Sequence, residues 1–203
     1  MELQNVEIKA FNRWSTNGIE LTDEGLKRYV NLSPKLVPKT GAKYSGQRFY
    51  KSRTFIVERL INKIMVAGHR AKKHKITSGF MTGKGVTAYK IVEDALSIIE
   101  RKTGANPIAV FVKALENGAT REEIVNIEYG GARYTKAVDC APQRRVDLVL
   151  RFFIQGAYAK SFNSKKGIRD ALADEILAAY NLSQNSFAVS KKLELERQAD
   201  ASR

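Results

Sequence analysis

The chain has 203 residues, 43% of them hydrophobic, which is enough for one domain with a real core and too apolar for a disordered chain. It carries 35 Lys and Arg against 21 Asp and Glu, a formal net charge of +14; a free monomer repels itself at that charge, so a polyanionic partner is expected. Cys140 is the only cysteine, which excludes an intrachain disulfide, and no apolar run approaches the ~20 residues that cross a bilayer. With no signal peptide in view, a soluble intracellular protein without membrane contact is expected.

Residues 1–21 read as an extended N-terminal arm. Val6, Ile8, Ala10 and Phe11 suit a strand laid on the body, and Trp14 is a burial anchor or, alternatively, a stacking platform for a base. Thr22 or Asp23 opens a short helix reaching toward Asn31, and Pro34, Pro38 and Gly41 make 32–47 a loop. Residues 1–47 are thus taken as arm and loop, and 48–203 as a single helical domain.

The first strong helix is expected over 54–67, with Ile56, Val57, Leu60, Ile61, Ile64 and Met65 on one face, Arg53, Arg59 and Lys63 pointing elsewhere, and Gly68 as its stop. Residues 68–85 read as a basic, glycine-punctuated loop without an acid. Charge is concentrated here: from Lys39 to Lys84 there are twelve Lys and Arg against one acid, Glu58, whereas the first 31 residues hold five acids and four bases. A localised basic face is the footprint of nucleic-acid binding.

Helices follow over 86–102 and from Pro107, capped by Asn106, to Glu116. A hairpin spans about 121–140. Val125, Ile127 and Tyr129 alternate with Asn126 and Glu128 in the pattern of a half-buried strand, Gly130 and Gly131 form the turn, and Ala132 to Asp139 returns. Thr120 and Glu123 also fit a capping box, so a helical turn before the strand is an alternative. Pro142 opens a fourth helix, to Phe162; Ile168 to Tyr180 is the fifth and Phe187 to Ala199, capped by Ser186, the sixth. The expected fold is mainly α: a six-helix bundle-like domain, one protruding β-hairpin and the arm.

Arg144 and Arg145 sit at the positive end of the fourth helix, where cations are unfavourable by ~0.3–1 kcal/mol each unless an anion is near. A phosphate backbone would take both guanidinium forks and the helix terminus; two solvated arginines are the other reading.

Catalytic signals are absent. His69 and His74 lack metal-ligand spacing and further ligands. The run from Gly79 to Gly85 is one residue short of a Walker A loop and lacks Ser or Thr after Lys84. Glu122 and Glu123 are chain neighbours that point apart, read as solvated carboxylates. No enzyme, cofactor or metal is expected.

Several stretches together resemble one family: KAFNRWST (9–16), QRFYKSRTFIVERLINKIM (47–65), YKIVEDALSIIERKTGANPIAVFVKALEN (89–117), GGARYTKAVDCAPQRRVDLVLRFFIQGA (130–157), ALADEI (171–176) and NSFAVSKKLELERQA (185–199). In order and over nearly the whole chain, they are similar to the seventh universal protein of the small ribosomal subunit, in its eukaryotic and archaeal branch. The resemblance implies a structural constituent of the small subunit that binds ribosomal RNA of the head (3′ major domain). It also implies a hairpin near the exit-site tRNA and the departing mRNA, with neighbouring ribosomal proteins as partners and no homo-oligomer. Its place would be the cytoplasmic ribosome, with nucleolar assembly in a eukaryote.

Carried over by position, the rRNA-binding candidates are Arg48, Lys51, Arg53, Lys72, Lys73, Lys75, Arg144, Arg145, Lys191 and Lys192, and the hairpin-tip candidates are Gly130, Gly131, Arg133 and Tyr134. The strand Asn126-Ile127-Glu128-Tyr129 departs from the family's arginine-rich pattern and shifts weight to Arg133 and the turn; loop 68–85 is longer than in relatives. An architectural DNA- or RNA-binding protein outside the ribosome is the first alternative, and an RNA-modifying or RNA-cleaving enzyme the second.

Overall fold

The computed structural model describes residues 8–41, 43, 46–70, 73–74 and 79–203, those at 69, 70, 73 and 74 by their backbone alone. Its elements in chain order are α1 (Glu24–Lys27), a 3-10 turn (Tyr50–Arg53), α2 (Ile56–Ile64), β1 (His69–Arg70), β2 (Lys73–His74), α3 (Gly85–Thr103) and α4 (Pro107–Gly118). These are followed by β3 (Glu122–Tyr129), β4 (Ala132–Asp139), α5 (Pro142–Ser161), α6 (Ile168–Tyr180) and α7 (Phe187–Asp200). The fold is mainly helical with one long antiparallel hairpin, as expected; α1 makes the helix count seven among the described residues. β1 and β2 form a small ribbon inside the segment expected to be loop.

Helix ends follow local chemistry. Asp23 accepts from the Gly25 N–H to open α1, Asn106 from Ile108 ahead of Pro107, and Ser186 from Val189. Gly104 ends α3 at φ +66°, a left-handed conformation natural to glycine. α2 stops at Ile64, three residues short of the expected end.

α6 packs against α3, α4 and α5, and its Ala171, Ala173 and Ala179 are wholly buried, so small side chains let the neighbouring backbones come close. α7 packs on α5 and on the base of the hairpin. One buried carboxylate ties three helices together. Glu175 of α6 is 0% exposed; its Oε2 accepts from Lys160 Nζ at 2.7 Å, and its Oε1 from Ser186 Oγ at 2.8 Å and Ala188 N at 3.2 Å. Gly156 of α5 makes room for it: a Cβ there would lie 2.6 Å from Phe187 Cβ and 2.9 Å from Glu175 Cδ. Gly156→Ala is therefore expected to lower unfolding stability by about 1–3 kcal/mol, as overpacking does. A urea titration checks this, and an unchanged midpoint would mean that the α5–α6–α7 junction is looser than drawn.

Residues 8–21 do not lie as a strand; Val6 lies outside the described residues. Ala10 and Trp14 close a tight turn with reciprocal backbone hydrogen bonds of 2.8 and 3.1 Å, and Phe11 and Asn12 take φ of 52° and 56°. Burial offsets that strain. Phe11 meets Trp14 edge-on at 5.7 Å and Tyr89 at 4.7 Å, and both Phe11 and Trp14 are buried. The indole is thus an anchor. Further polar clips bind this segment to the body: Asn106 Nδ2 donates to the Ser15 carbonyl at 2.7 Å, and Glu116 accepts from Thr22 and from the Asp23 N–H.

The hairpin pairs Tyr129 with Ala132 across Gly130 and Gly131, whose φ values of 58° and 80° are those of the tight turn that two adjacent glycines favour. Its base is closed by Cys140 N–H donating to the Arg121 carbonyl, and no helical turn precedes β3. The strand is not half-buried as its alternation suggests: beyond Ile124 it runs clear of the body, and Val125, Ile127 and Tyr129 are exposed.

Candidate nucleic-acid interface

The segment ahead of α2 presents cations among aromatic rings. Arg48 lies 5.7 Å from the centroid of the exposed Phe49 ring, and Arg53 lies 4.3 Å from that of Tyr50. Neither guanidinium has an acid partner among the described residues, so the side of each turned away from its ring is open to a phosphate or a base. The turn is held in place by Asn31, which donates to the Arg53 carbonyl, and by Lys51, which pairs with Asp147 of α5.

α5 is the spine along which the other cations are ordered. Arg144 forms a fork on Glu123 at 2.5 and 2.6 Å, while Arg145 donates to Asp23 Oδ2 at 2.7 Å and to the Thr120 carbonyl at 3.2 Å. The anion that two arginines at a helix N-terminus call for is thus present within the chain. Arg145, with its side chain 11% exposed, is a clamp joining α1 to the α4–β3 connection. Arg144 keeps 52% of its side chain exposed and so has a free side for a second anion. Glu123 is accordingly bound and not solvated, and Glu122 pairs with Arg203 at 2.7 Å.

One turn along α5, Asp147 accepts from Lys51 and, at 3.0 Å, from Arg59. Arg59 does not point to solvent: it is 6% exposed and also donates to the Tyr29 carbonyl at 2.9 Å. Lys192 of α7 donates to the Asn117 carbonyl at 3.0 Å and shares a cleft of about 570 Å³ with Arg121, Arg145, Asp23 and Glu116. Burial, then its cationic neighbours Arg121 and Arg145, hold its amine below the ordinary lysine value despite Glu196. Lys191 pairs with Glu194 and lies 5.9 Å from the Phe187 ring. The sequence thus marks Arg145 and Lys192 but not their juxtaposition, and it does not mark the pairing of Arg59, off the apolar face of α2, with Asp147, far along the chain.

At the hairpin tip Arg133 and Tyr134 are exposed, with Arg133 loosely opposite Glu128 at 3.8 Å. The register puts Val125, Ile127, Tyr129, Tyr134 and Lys136 on one face and Asn126, Glu128, Arg133 and Thr135 on the other. Lys72 and Lys75 lie outside the described residues; Lys73 is placed by backbone only, in β2. Among the described residues no group of His, Cys, Asp and Glu is arranged to hold a metal, and no helix is long and apolar enough to cross a membrane.

The carboxylates in these clamps respond to acid in a defined direction. Burial pushes Asp147 up, but Lys51 and Arg59 outweigh it; burial likewise opposes Arg145 at Asp23, and opposes the Asp23 and Thr22 N–H groups and Lys113 at Glu116. All three end below their ordinary values, so they add stability above about pH 4.5 that is lost as pH falls through their folded values. The urea midpoint is expected to be flat from pH 7 to about 5 and to decline below about 4, less steeply in Asp147→Asn. A midpoint unchanged down to pH 3 would contradict the clamps.

Among known families, residues 26–203 match the one described as ribosomal protein S7p/S5e. The small ribosomal subunit protein uS7 of Nanoarchaeum equitans is 48% identical over 198 residues, covering 98% of this chain and all of the relative. Those of Methanothrix thermoacetophila and Archaeoglobus fulgidus are 45% and 44% identical, each covering 97% of this chain and 100% and 96% of their own lengths.

Proposed function

Since the chain belongs to the ribosomal protein S7p/S5e family, we propose that it is a structural constituent of the small ribosomal subunit that seats its cationic face on ribosomal RNA of the head. The family is a structural one and not an enzyme class, and its place of work is the ribosome. The observation that carries the reading is the match over almost the whole chain, which takes in the exposed Arg48–Arg53 segment, the α5 arginines and the hairpin.

RNA helices are recognised mainly by shape and phosphate position, which suits cations fixed on helices and clamped by neighbours. Arg48, Arg53 and the open side of Arg144 are the exposed contacts of this reading. Lys51, paired but half-exposed like Arg144, has an open side as well, whereas Arg145 and Lys192 serve it mainly by holding the surface in shape, since each is engaged within the chain. The hairpin stands clear of the body and ends in two glycines whose bare backbone can approach RNA closely, which fits a finger reaching toward the exit-site tRNA and the departing mRNA. Neighbouring ribosomal proteins complete the setting, with one copy of the chain per subunit.

The test is a competition between a folded head-domain fragment of small-subunit rRNA, an unrelated structured RNA and duplex DNA of equal length. A preference of at least tenfold for the head fragment is expected; equal affinity for all three would instead indicate a general architectural binder.

A further inference from the structure

We infer that the groove between α2 and α5 is a phosphate subsite, in which Lys63 and Arg151 together grip one phosphate of the RNA backbone. This rests on the RNA-binding reading above but concerns residues that are not among the rRNA-binding candidates carried over by resemblance.

The groove is a cavity of about 330 Å³ walled by Asn62, Lys63 and Val66 of α2 and its end, by Gly68, and by Arg151 and Gln155 of α5. Its charge is unbalanced. Asp147 and Glu58 are the acids of α5 and α2; Glu58 is buried and turned to Thr40, whose N–H and hydroxyl both donate to its Oε1 at 2.7 Å. Asp147 is already bonded to Lys51 and Arg59. Lys63 and Arg151 are therefore left side by side with no acid of their own among the described residues.

Holding a partly buried lysine next to other cations opposes folding, and the amine shows it. Burial lowers the Lys63 pKa, and Arg151, Lys51 and Arg59 lower it further, against the pull of Asp147. A tetrahedral dianion or diester in the groove reverses each of these effects. The pairing of a planar guanidinium fork with a point-charge ammonium suits phosphate oxygens better than a lone carboxylate would. Gly68, buried and at φ +79°, is part of the groove wall.

Two arms test this with the full chain. In the first, filter binding of the head-domain rRNA fragment is measured over a range of KCl concentrations for the native protein and for Lys63→Gln with Arg151→Gln. The doubly neutral variant is expected to bind about tenfold more weakly, with a salt slope smaller by about one phosphate's worth. The charge-keeping swap Lys63→Arg with Arg151→Lys, matched for its unfolding midpoint, is expected to retain most of the affinity.

In the second arm, the Lys63 ε-carbon resonance is titrated with pH in inorganic phosphate and in chloride of equal ionic strength. Phosphate is expected to raise the Lys63 pKa, and Arg151→Gln to abolish the rise. A native protein that selects the head fragment while the neutral variant matches it in affinity and slope overturns the subsite and leaves the ribosomal reading intact. A Lys63 that ignores phosphate overturns it as well. A Lys63 that responds to phosphate in a protein with no preference among RNAs upholds the anion site and rejects the ribosomal partner.

Discussion

Glu175→Ala is expected to lower the unfolding free energy by roughly 3 kcal/mol, and with it the thermal midpoint by roughly 6–12 °C for a chain of this size. The carboxylate is fully buried and serves three donors on two other elements. Removing it leaves the Ser186 hydroxyl and the Ala188 N–H without their acceptor at the start of α7, and leaves a void against Gly156 where α5 and α6 meet. Lys160, half-exposed, can return to water, which keeps the cost below that of a wholly buried ion pair. Glu175→Gln, which keeps the shape and one acceptor oxygen, is expected to lose about half as much. Since α7 carries Lys191 and Lys192 and packs on the base of the hairpin, the same substitution should also raise hydrogen exchange in β3. Loss of less than about 0.5 kcal/mol in a urea titration would show that Glu175 is not the joint between the helices.

Arg48→Glu with Arg53→Glu is expected to weaken binding to the head-domain rRNA fragment at least a hundredfold, with the logarithmic salt slope smaller by about 2. Both guanidiniums are exposed, each rests on an aromatic ring, and neither is tied to an acid among the described residues, so reversal removes two phosphate contacts and adds two repulsions. Folding is expected to be nearly untouched, because surface changes of this kind stay within about 0.5 kcal/mol. The same reversal at Arg145 would be a poor test: it would set a second carboxylate against Asp23 and unclamp α1. Filter binding at several salt concentrations decides the matter, and a slope equal to that of the native protein would remove Arg48 and Arg53 from the interface.

Much of the fold could be read from local pattern. α6 runs over the residues its periodicity marks, and the Gly130-Gly131 turn sits where two strands of alternating residues converge. What could not be read was long-range pairing. Arg59 looks like a solvated cation until Asp147, far along the chain, is brought beside it. Arg144 and Arg145 signal the need for anions without saying that Glu123 and Asp23 supply them. The capping-box alternative at Thr120 gave way because Glu123 is taken by Arg144 and because Arg121 and Cys140 close the ribbon. The strand pattern of Val125 to Tyr129 was sound as a strand and misleading as burial, since period-two alternation does not say whether anything packs on the apolar face.

The site is legible in the same measure. A charge count marks Arg48 and Arg53 as cations, but a cation that shapes the surface and one that touches RNA look alike until their partners are known. The structure divides the candidates on that line, with Arg145 and Lys192 engaged within the chain and Lys51 and Arg144 each paired to an acid yet half-exposed.

Sedimentation of the full-length protein in cell extract of its source bears most directly on whether this cationic face is built for the small subunit. The protein is expected to travel with free small subunits and with translating ribosomes, and to leave them only at high salt. Recovery as a lone species at the top of the gradient, at salt where subunits stay intact, would contradict the account.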